Sequence, residues 1–168
     1  MGMLGLLALA AAWVSQHHFD MQPCPWCILQ RLIFGGLVVL ALLQLVLERA
    51  QGVRSLPAHA VSGLRASLAL AGVAAAAWQH TVAASSVSCN LTWADRFIAA
   101  TGLDGAWPDF FQPRANCMEA KAWILGVPYE FYSGGLFLLM VLAIILRWRA
   151  VVPSGPANAA GGDAQVRA

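Results

Sequence analysis

Residues 28–47 read ILQRLIFGGLVVLALLQLVL, an apolar run interrupted only by Gln30, Arg31 and Gln44. About 20 mostly apolar residues are enough for an α-helix to cross a bilayer. Hydrophobic residues make up 60% of the 168-residue chain and charged residues only 11%, whereas soluble domains carry about 25% charged residues. The composition therefore excludes an ordinary soluble domain and predicts a membrane protein.

Three further apolar runs, at residues 3–19, 64–84 and 131–148, accompany the first. No alternating pattern indicates a barrel, and helices satisfy their own backbone groups in lipid. We therefore predict an all-α membrane protein, a four-transmembrane-helix bundle formed by residues 1–150 and followed by a disordered tail at 151–168. The alternative for residues 3–19 is a cleaved signal peptide, which is disfavoured because no Lys or Arg precedes the apolar run.

The arginines are unevenly distributed between the loops. The link after residue 47, the start of the third run and the end of the fourth hold Arg49, Arg54, Arg65, Arg147 and Arg149. Because positive charge favours the cytoplasmic side, both termini are predicted in the cytoplasm and two loops outside, a short one before residue 28 and a long one at 85–130. Residues 91–100 of the long loop are amphipathic enough to form a short helix on the membrane surface. A net charge of +2 gives no indication of nucleic-acid binding.

The four cysteines fall in the two outer loops. Cys24 and Cys27 bracket a C-P-W-C motif in the short loop, and Cys89 and Cys117 lie in the long one. Disulfides persist outside the cytoplasm, but four cysteines allow three connectivities, and the sequence leaves all of them open. The motif is open to three readings: a redox couple, a structural disulfide, or half of a zinc site. Zinc would require a second close pair, which 89 and 117 do not form, and no metal site is predicted.

Two features favour the redox interpretation of the motif. Cys27 falls at or just before the start of the second helix, where free N–H groups and the helix dipole stabilise a thiolate. Arg31 follows four residues later, on the same helix face. The alternative for Arg31 is a side chain that snorkels to the headgroups.

The ordered set of motifs resembles the disulfide bond formation protein B (DsbB) family over nearly the whole chain up to Arg149. The motifs are Gln16-His17, Pro23-Cys24-x-x-Cys27, Arg31, His80-Thr81, Cys89, Cys117-x-Glu119, Leu125-Gly126 and Pro128. The resemblance implies a multi-pass enzyme of the bacterial inner membrane, with its cysteine loops in the periplasm. Such enzymes oxidise DsbA, a periplasmic thioredoxin-like dithiol oxidase, at the expense of membrane quinone.

The resemblance also implies roles for the cysteines. A disulfide between Cys89 and Cys117 would be attacked by the reduced partner, with the mixed disulfide at Cys89. The released Cys117 would pass electrons to Cys24 through an interloop disulfide and free Cys27 as a thiolate.

By the same resemblance, a quinone, either ubiquinone or menaquinone, would face the Cys27 thiolate in a pocket and re-oxidise the C-x-x-C pair. Arg31 would position the quinone ring, and His80 is a second candidate for that pocket. The alternative for His80 is a capping or headgroup contact at a helix end.

Two other functions remain open from the sequence. One is a non-catalytic membrane protein with four spans, in which two disulfides staple the outer loops. The other is a related thiol oxidase whose dedicated partner is not DsbA. Arg31 beside Cys27 favours an enzyme over the staple, because a stapled protein has no need of an arginine there.

Overall fold

The computed structural model describes residues 2–83 and 92–151 of the chain. In chain order the elements are α1 (Gly2–His18), α2 (Pro25–Gln51), α3 (Leu56–Thr81), α4 (Trp93–Thr101), α5 (Leu103–Ala106), α6 (Pro108–Phe111), β1 (Trp123–Ile124), β2 (Val127–Pro128) and α7 (Tyr129–Val151). Cys89 and almost all of the predicted tail at 151–168 lie outside the described residues. The protein is mostly helical, as predicted.

Three of the helices in the described part of the chain are long and apolar enough to cross a membrane, namely α2, α3 and α7. The fourth, α1, has 17 residues, which corresponds to about 25 Å of helix. A bilayer core is about 30 Å thick, so α1 is slightly short for a perpendicular span. The crossing of the membrane by α1 stays a prediction.

Prolines move two helix starts away from their predicted positions. Helix α2 begins at Pro25 instead of residue 28, and Cys24 is its N-cap. Helix α3 begins at Leu56 instead of residue 64, with Pro57 in its first turn. A proline is well tolerated there, because the first N–H groups of a helix have no partner within the helix. Pro57 therefore belongs to the first turn of α3.

The long helices pack in sequence, α1 on α2, α2 on α3 and α3 on α7. The closest approach is at Gly72 of α3, where an added Cβ would lie 2.5 Å from the ring of Phe137 on α7. Phe137 is fully buried and stacks on Phe34 of α2, with 4.0 Å between the ring centroids. Close approach at small residues is how helices associate in lipid.

A polar cluster ties the helices together at the end opposite the cysteines. Arg65 of α3 donates to the side chain of Gln44 on α2, and Gln44 donates to Glu48 at 2.7 Å. Arg147 of α7 donates to the second oxygen of Glu48 at 2.5 Å. This network joins α2, α3 and α7 and places three otherwise costly charges against polar partners.

A short hairpin near the end of the long loop, just before α7, adds two two-residue strands to the otherwise helical chain. Strands β1 and β2 pair antiparallel, with Trp123 opposite Pro128. Leu125 and Gly126 form the connection, both with positive φ, 51° and 78°. This backbone suits the two-residue turns that match the twist of a hairpin.

A helix also lies in the part of the long loop where one was predicted. Helix α4 begins after Thr92, whose side chain and that of Asp95 cap each other's backbone N–H groups. It packs against α2 through Trp93, which lies 6.4 Å from the ring of Trp26. Its location on a membrane surface stays a prediction.

Candidate functional site

The first turn of α2 holds the C-x-x-C pair. Cys24 is completely buried, and its Sγ lies 2.9 Å from the Sγ of Cys27. The backbone N–H of Cys27 donates to the sulfur of Cys24 at 3.3 Å, as in a side-chain N-cap. Both residues are free thiols. The motif therefore begins the helix instead of preceding it.

The long loop brings Cys117 to the same sulfur. The backbone N–H groups of Arg114 and Ala115 donate to the carbonyl of Pro23 at 2.9 and 3.4 Å. These bonds dock the loop on the residue before Cys24. Beyond them, the thiol of Cys117 lies close enough to that of Cys24 for each to shift the pKa of the other. Cys24 thus has both Cys27 and Cys117 as neighbours.

The interaction between the thiols of Cys24 and Cys117 polarises the pair. It raises the pKa of the Cys24 thiol well above its ordinary value, and a hydrogen bond to Cys27 and burial act in the same direction. The same interaction lowers the pKa of the Cys117 thiol against the opposing effect of burial, assisted by the backbone of Trp26. Cys117 is therefore the better nucleophile of the two at neutral pH.

Cys89, the fourth cysteine of the predicted relay, lies outside the described residues. Its pairing with Cys117 and its attack by a partner stay predictions. Within residues 2–83 and 92–151, no group of three or more His, Cys, Asp or Glu side chains is placed to hold a metal ion.

Arg31 is buried inside the protein, with 6% of its surface exposed. The snorkelling alternative is therefore wrong. Its NH1 donates to the side chain of Gln16 on α1 at 2.7 Å and to the carbonyl of Phe110 on α6 at 2.9 Å. Its NH2 makes a longer contact of 3.4 Å with the carbonyl of Ala12. Arg31 thus joins α1, α2 and the long loop.

Gln16 completes this connection to the long loop. Its side chain is buried, and its Nε2 donates to the carbonyl of Asp109 at 2.8 Å. Gln16 and Arg31 therefore hold two consecutive carbonyls of α6, those of Asp109 and Phe110. We call these two side chains the loop clamp. The sequence motif contains Gln16 but gives no sign of this contact.

A cavity of about 300 Å³ lies beside Cys27 and Arg31. Small residues of α1, residues of α7 and Phe34 of α2 are among those that line it. The cavity is mainly apolar, but several polar groups besides Cys27 line it. They include Gln30, Arg31, Gln79, Glu130 and Ser133.

Three of these polar groups form a hydrogen-bonded chain that ends on the reactive sulfur. Gln79 donates to the Sγ of Cys27 at 3.3 Å and accepts from Gln30 at 2.7 Å. Ser133 donates in turn to Gln30. In the sequence, Gln30 and Gln79 are polar interruptions of two apolar runs, and that is the signal by which they can be found.

The structure places His80 outside the lining of this cavity. Its side chain is 44% exposed, and its Nδ1 lies 2.9 Å from Oε1 of Glu130. Its ring packs at an angle against Phe131, with 4.6 Å between the centroids. Glu130, in contrast, is buried and lines the cavity. His80 therefore reaches the cavity only through Glu130.

A larger cavity, of about 620 Å³, lies on the other side of α2, between α3 and α4. Its walls include Trp26, Trp78 and Trp93, and no thiol or charged side chain lines it. Size alone would favour this cavity as a ligand site. The chemistry favours the smaller one, because only that cavity borders Cys27.

Membrane-length helices with three thiols gathered at one end define a multi-pass membrane protein with a thiol–disulfide centre. The family model described as "Disulfide bond formation protein DsbB" matches residues 1–147, and the chain belongs to that family. Membership makes disulfide bond formation, an oxidoreductase reaction, its general role.

Curated relatives cover most of the chain. A "Disulfide bond formation protein B" of Aromatoleum aromaticum is 29% identical over 150 residues, which are 85% of this chain and 89% of the relative. A protein of the same name from Neisseria gonorrhoeae is 28% identical over 160 residues, 86% and 89% of the two chains. One from Cupriavidus metallidurans is 27% identical over 139 residues, 82% and 81%.

Proposed function

We propose that this protein re-oxidises a periplasmic thioredoxin-like dithiol oxidase, similar to DsbA, and passes the electrons to membrane quinone. The observation that carries the proposal is the position of Cys24, which has both Cys27 and Cys117 as neighbours. A sulfur with two cysteine neighbours can exchange one disulfide for another without movement of the helices. A structural staple needs only one neighbour for each sulfur.

The relay begins at the long loop. A partner thiolate attacks Cys89 of a Cys89–Cys117 disulfide, forms a mixed disulfide and releases the Cys117 thiolate. Cys117 then attacks Cys24 of the Cys24–Cys27 disulfide, which forms the Cys24–Cys117 bond and releases Cys27. The lowered pKa of Cys117 supports its role as the attacking group in this second exchange.

The second partner thiol resolves the mixed disulfide and leaves Cys89 reduced. Cys89 recloses on Cys117 and releases Cys24 as a thiol. Cys24 and Cys27 give up two electrons when their own disulfide reforms. A bound quinone would accept both electrons, which sulfur chemistry alone does not, and would take up two protons as it is reduced.

The cavity beside Cys27 fits a quinone. Its lining is mainly apolar and includes a hydrogen-bonded chain of polar groups that ends on Cys27, which suits a polar ring on an isoprenoid tail. A guanidinium carries more N–H donors than the three bonds from Arg31 to Gln16, Phe110 and Ala12 use. Donors therefore remain for a quinone carbonyl, as proposed for Arg31. His80 would act on this site through its contact with Glu130.

The proposed location is the bacterial inner membrane, with α1 as the fourth span. Both chain termini would then face the cytoplasm, together with the arginines near the end of α2 and those near the end of α7. The thiol centre lies at the opposite end of these helices, which would put it at the periplasmic surface. A partner protein could reach Cys89 and Cys117 only from that side.

The proposal is tested with oxidised, quinone-free protein and a reduced partner whose second thiol is replaced by serine. Addition of this partner is expected to give a mixed disulfide at Cys89 together with a Cys24–Cys117 disulfide and a free Cys27, detected by mass spectrometry of the linked peptides. Disulfides that remain unchanged after the reduced partner is added would support a structural role instead. With quinone and the intact partner, Arg31→Ala should raise the quinone concentration required for turnover. If the quinone concentration required for turnover were unchanged, Arg31 would have no role in quinone binding, and the proposed relay would be unaffected.

A further inference from the structure

We propose that Glu130 carries protons into the cavity beside Cys27, with His80 as its partner on the water side. This inference rests on the proposed function, because it concerns the protons that accompany electrons into the cavity. Glu130 lies in the first turn of α7 and lines the cavity, while only 8% of its surface is exposed. Its Oε1 lies 2.9 Å from Nδ1 of His80, whose side chain is 44% exposed. The pair therefore connects the surface of the protein to the interior of the cavity.

A carboxyl group in a membrane-length helix is expensive and usually functional. A hydrogen bond that merely joined α3 to α7 would be made as well by an amide, without an ionisable group. Glu130 instead combines a titratable carboxyl with a position in the cavity wall. This combination of burial, cavity exposure and an exposed basic partner is what a proton route requires.

The other titratable groups that line the cavity are poorly suited to this task. Helix α2 contributes Cys27, which is the reacting sulfur, and Arg31, whose guanidinium does not release its proton. Helix α7 also contributes Tyr129 and Tyr132, and the Tyr132 hydroxyl donates to the carbonyl of Ile124 at 2.8 Å. Helix α1 lines the cavity with alanines and a serine and contributes no titratable side chain.

The proton balance calls for such a route. Oxidation of two thiols to a disulfide releases two electrons and two protons, and reduction of a quinone to a quinol consumes both. The partner's protons are released at the outer loops, whereas the protons for the quinol are consumed inside the cavity. Glu130 would take a proton at Oε1 from Nδ1–H of His80 and pass it to the cavity. His80 would recover its proton from water, and two cycles of the pair complete the balance.

The test compares Glu130→Gln with Asp104→Asn. Glutamine retains an oxygen that accepts from His80, so the bond between α3 and α7 is kept while the proton is lost. Asp104 accepts from the N–H of Gly105 on the distant helix α5, and asparagine can do the same. Loss of a positioned proton donor slows a reaction by about 100-fold or more. We expect that loss in quinone reduction by Glu130→Gln, with an unchanged Cys117-to-Cys24 exchange measured without quinone.

A readout besides turnover is the infrared difference spectrum recorded while bound quinone is reduced electrochemically in a Cys27→Ser background. We expect a carboxylic acid C=O signal that Glu130→Gln abolishes and Asp104→Asn retains. Should Glu130→Gln fail to fold, Glu130→Ala with added formate replaces it, and formate should restore quinone reduction.

An unchanged infrared signal, or wild-type quinone reduction by Glu130→Gln, would overturn this inference while leaving the relay intact. Failure of the wild-type protein to reduce quinone with partner thiols would instead overturn the proposed function. Loss of the Cys117-to-Cys24 exchange in Glu130→Gln would assign Glu130 a structural role and also count against the inference.

Discussion

The substitution Gln16→Ala tests how the loop that carries Cys117 is held on the thiol centre. In the loop clamp, Gln16 donates to the carbonyl of Asp109 at 2.8 Å and accepts from Arg31 at 2.7 Å. Only the first of these bonds breaks when the loop lifts away. Alanine removes that bond and leaves the carbonyl of Asp109 without its buried donor.

The magnitude follows from the single lost contact. A buried hydrogen bond contributes about 1 kcal/mol net, and an unsatisfied buried group costs about 1–3 kcal/mol. Because the Asp109 carbonyl can recover some hydration, we expect the loop to be destabilised by about 1–2 kcal/mol. An equilibrium constant changes tenfold for each 1.4 kcal/mol, so the open population should rise roughly 5- to 30-fold.

The assay follows alkylation of Cys24, whose side chain is completely buried in the docked state. Cys27→Ser and Cys89→Ser leave only Cys24 and Cys117 to react, and mass spectrometry distinguishes the two peptides. When the loop opens and closes faster than the reagent reacts, the rate follows the open population. We therefore expect alkylation of Cys24 to accelerate by the same roughly 5- to 30-fold in Gln16→Ala.

The matched control is Gln112→Ala, which removes the same side chain from an exposed position in the same loop. It should leave the alkylation rate of Cys24 unchanged. Equal rates for wild type, Gln16→Ala and Gln112→Ala would refute the clamp. A thermal midpoint measured alongside distinguishes local loop opening from global unfolding.

Two further predictions concern packing and pH. Gly72→Ala places a Cβ 2.5 Å from the buried ring of Phe137. Thermal unfolding in detergent should therefore show that the free energy of unfolding falls by about 1–3 kcal/mol. The control Gly35→Ala adds a Cβ that meets nothing within 4 Å, so it should show no such fall. Because the thiol of Cys24 lowers the pKa of Cys117, Cys24→Ala should raise that pKa. The pH profile for alkylation of Cys117 should then move to higher pH, and the alkylation rate at neutral pH should fall. An unmoved profile would contradict the interaction between the thiols of Cys24 and Cys117.

Hydropathy predicted the membrane-length helices because lipid forces long apolar runs into helices, whatever their neighbours. Helix starts were less accurate, since a proline such as Pro57 is compatible with either a break or a first turn. The hairpin at Leu125 and Gly126 escaped prediction because two-residue strands carry no periodic signal. The sequence pattern therefore predicts the layers of this fold better than it predicts their ends.

The candidate site was only partly predictable for a related reason. Cys24, Cys27 and Arg31 are close in sequence, and the chemistry of a helix start connects them. The contacts of Gln16 with Asp109 and of His80 with Glu130 join residues far apart in the chain. Such pairs are created by packing, so no local spacing reveals them.

The central claim is that electrons leave the thiol centre through Cys27, and quinone consumption measures it most directly. Purified protein, a reduced thioredoxin-like partner and quinone are mixed, and quinol and partner disulfide are quantified together. The relay predicts equal amounts of quinol and partner disulfide from the wild-type protein, and no quinol from Cys27→Ser. Quinone reduction by Cys27→Ser at the wild-type rate would contradict the account.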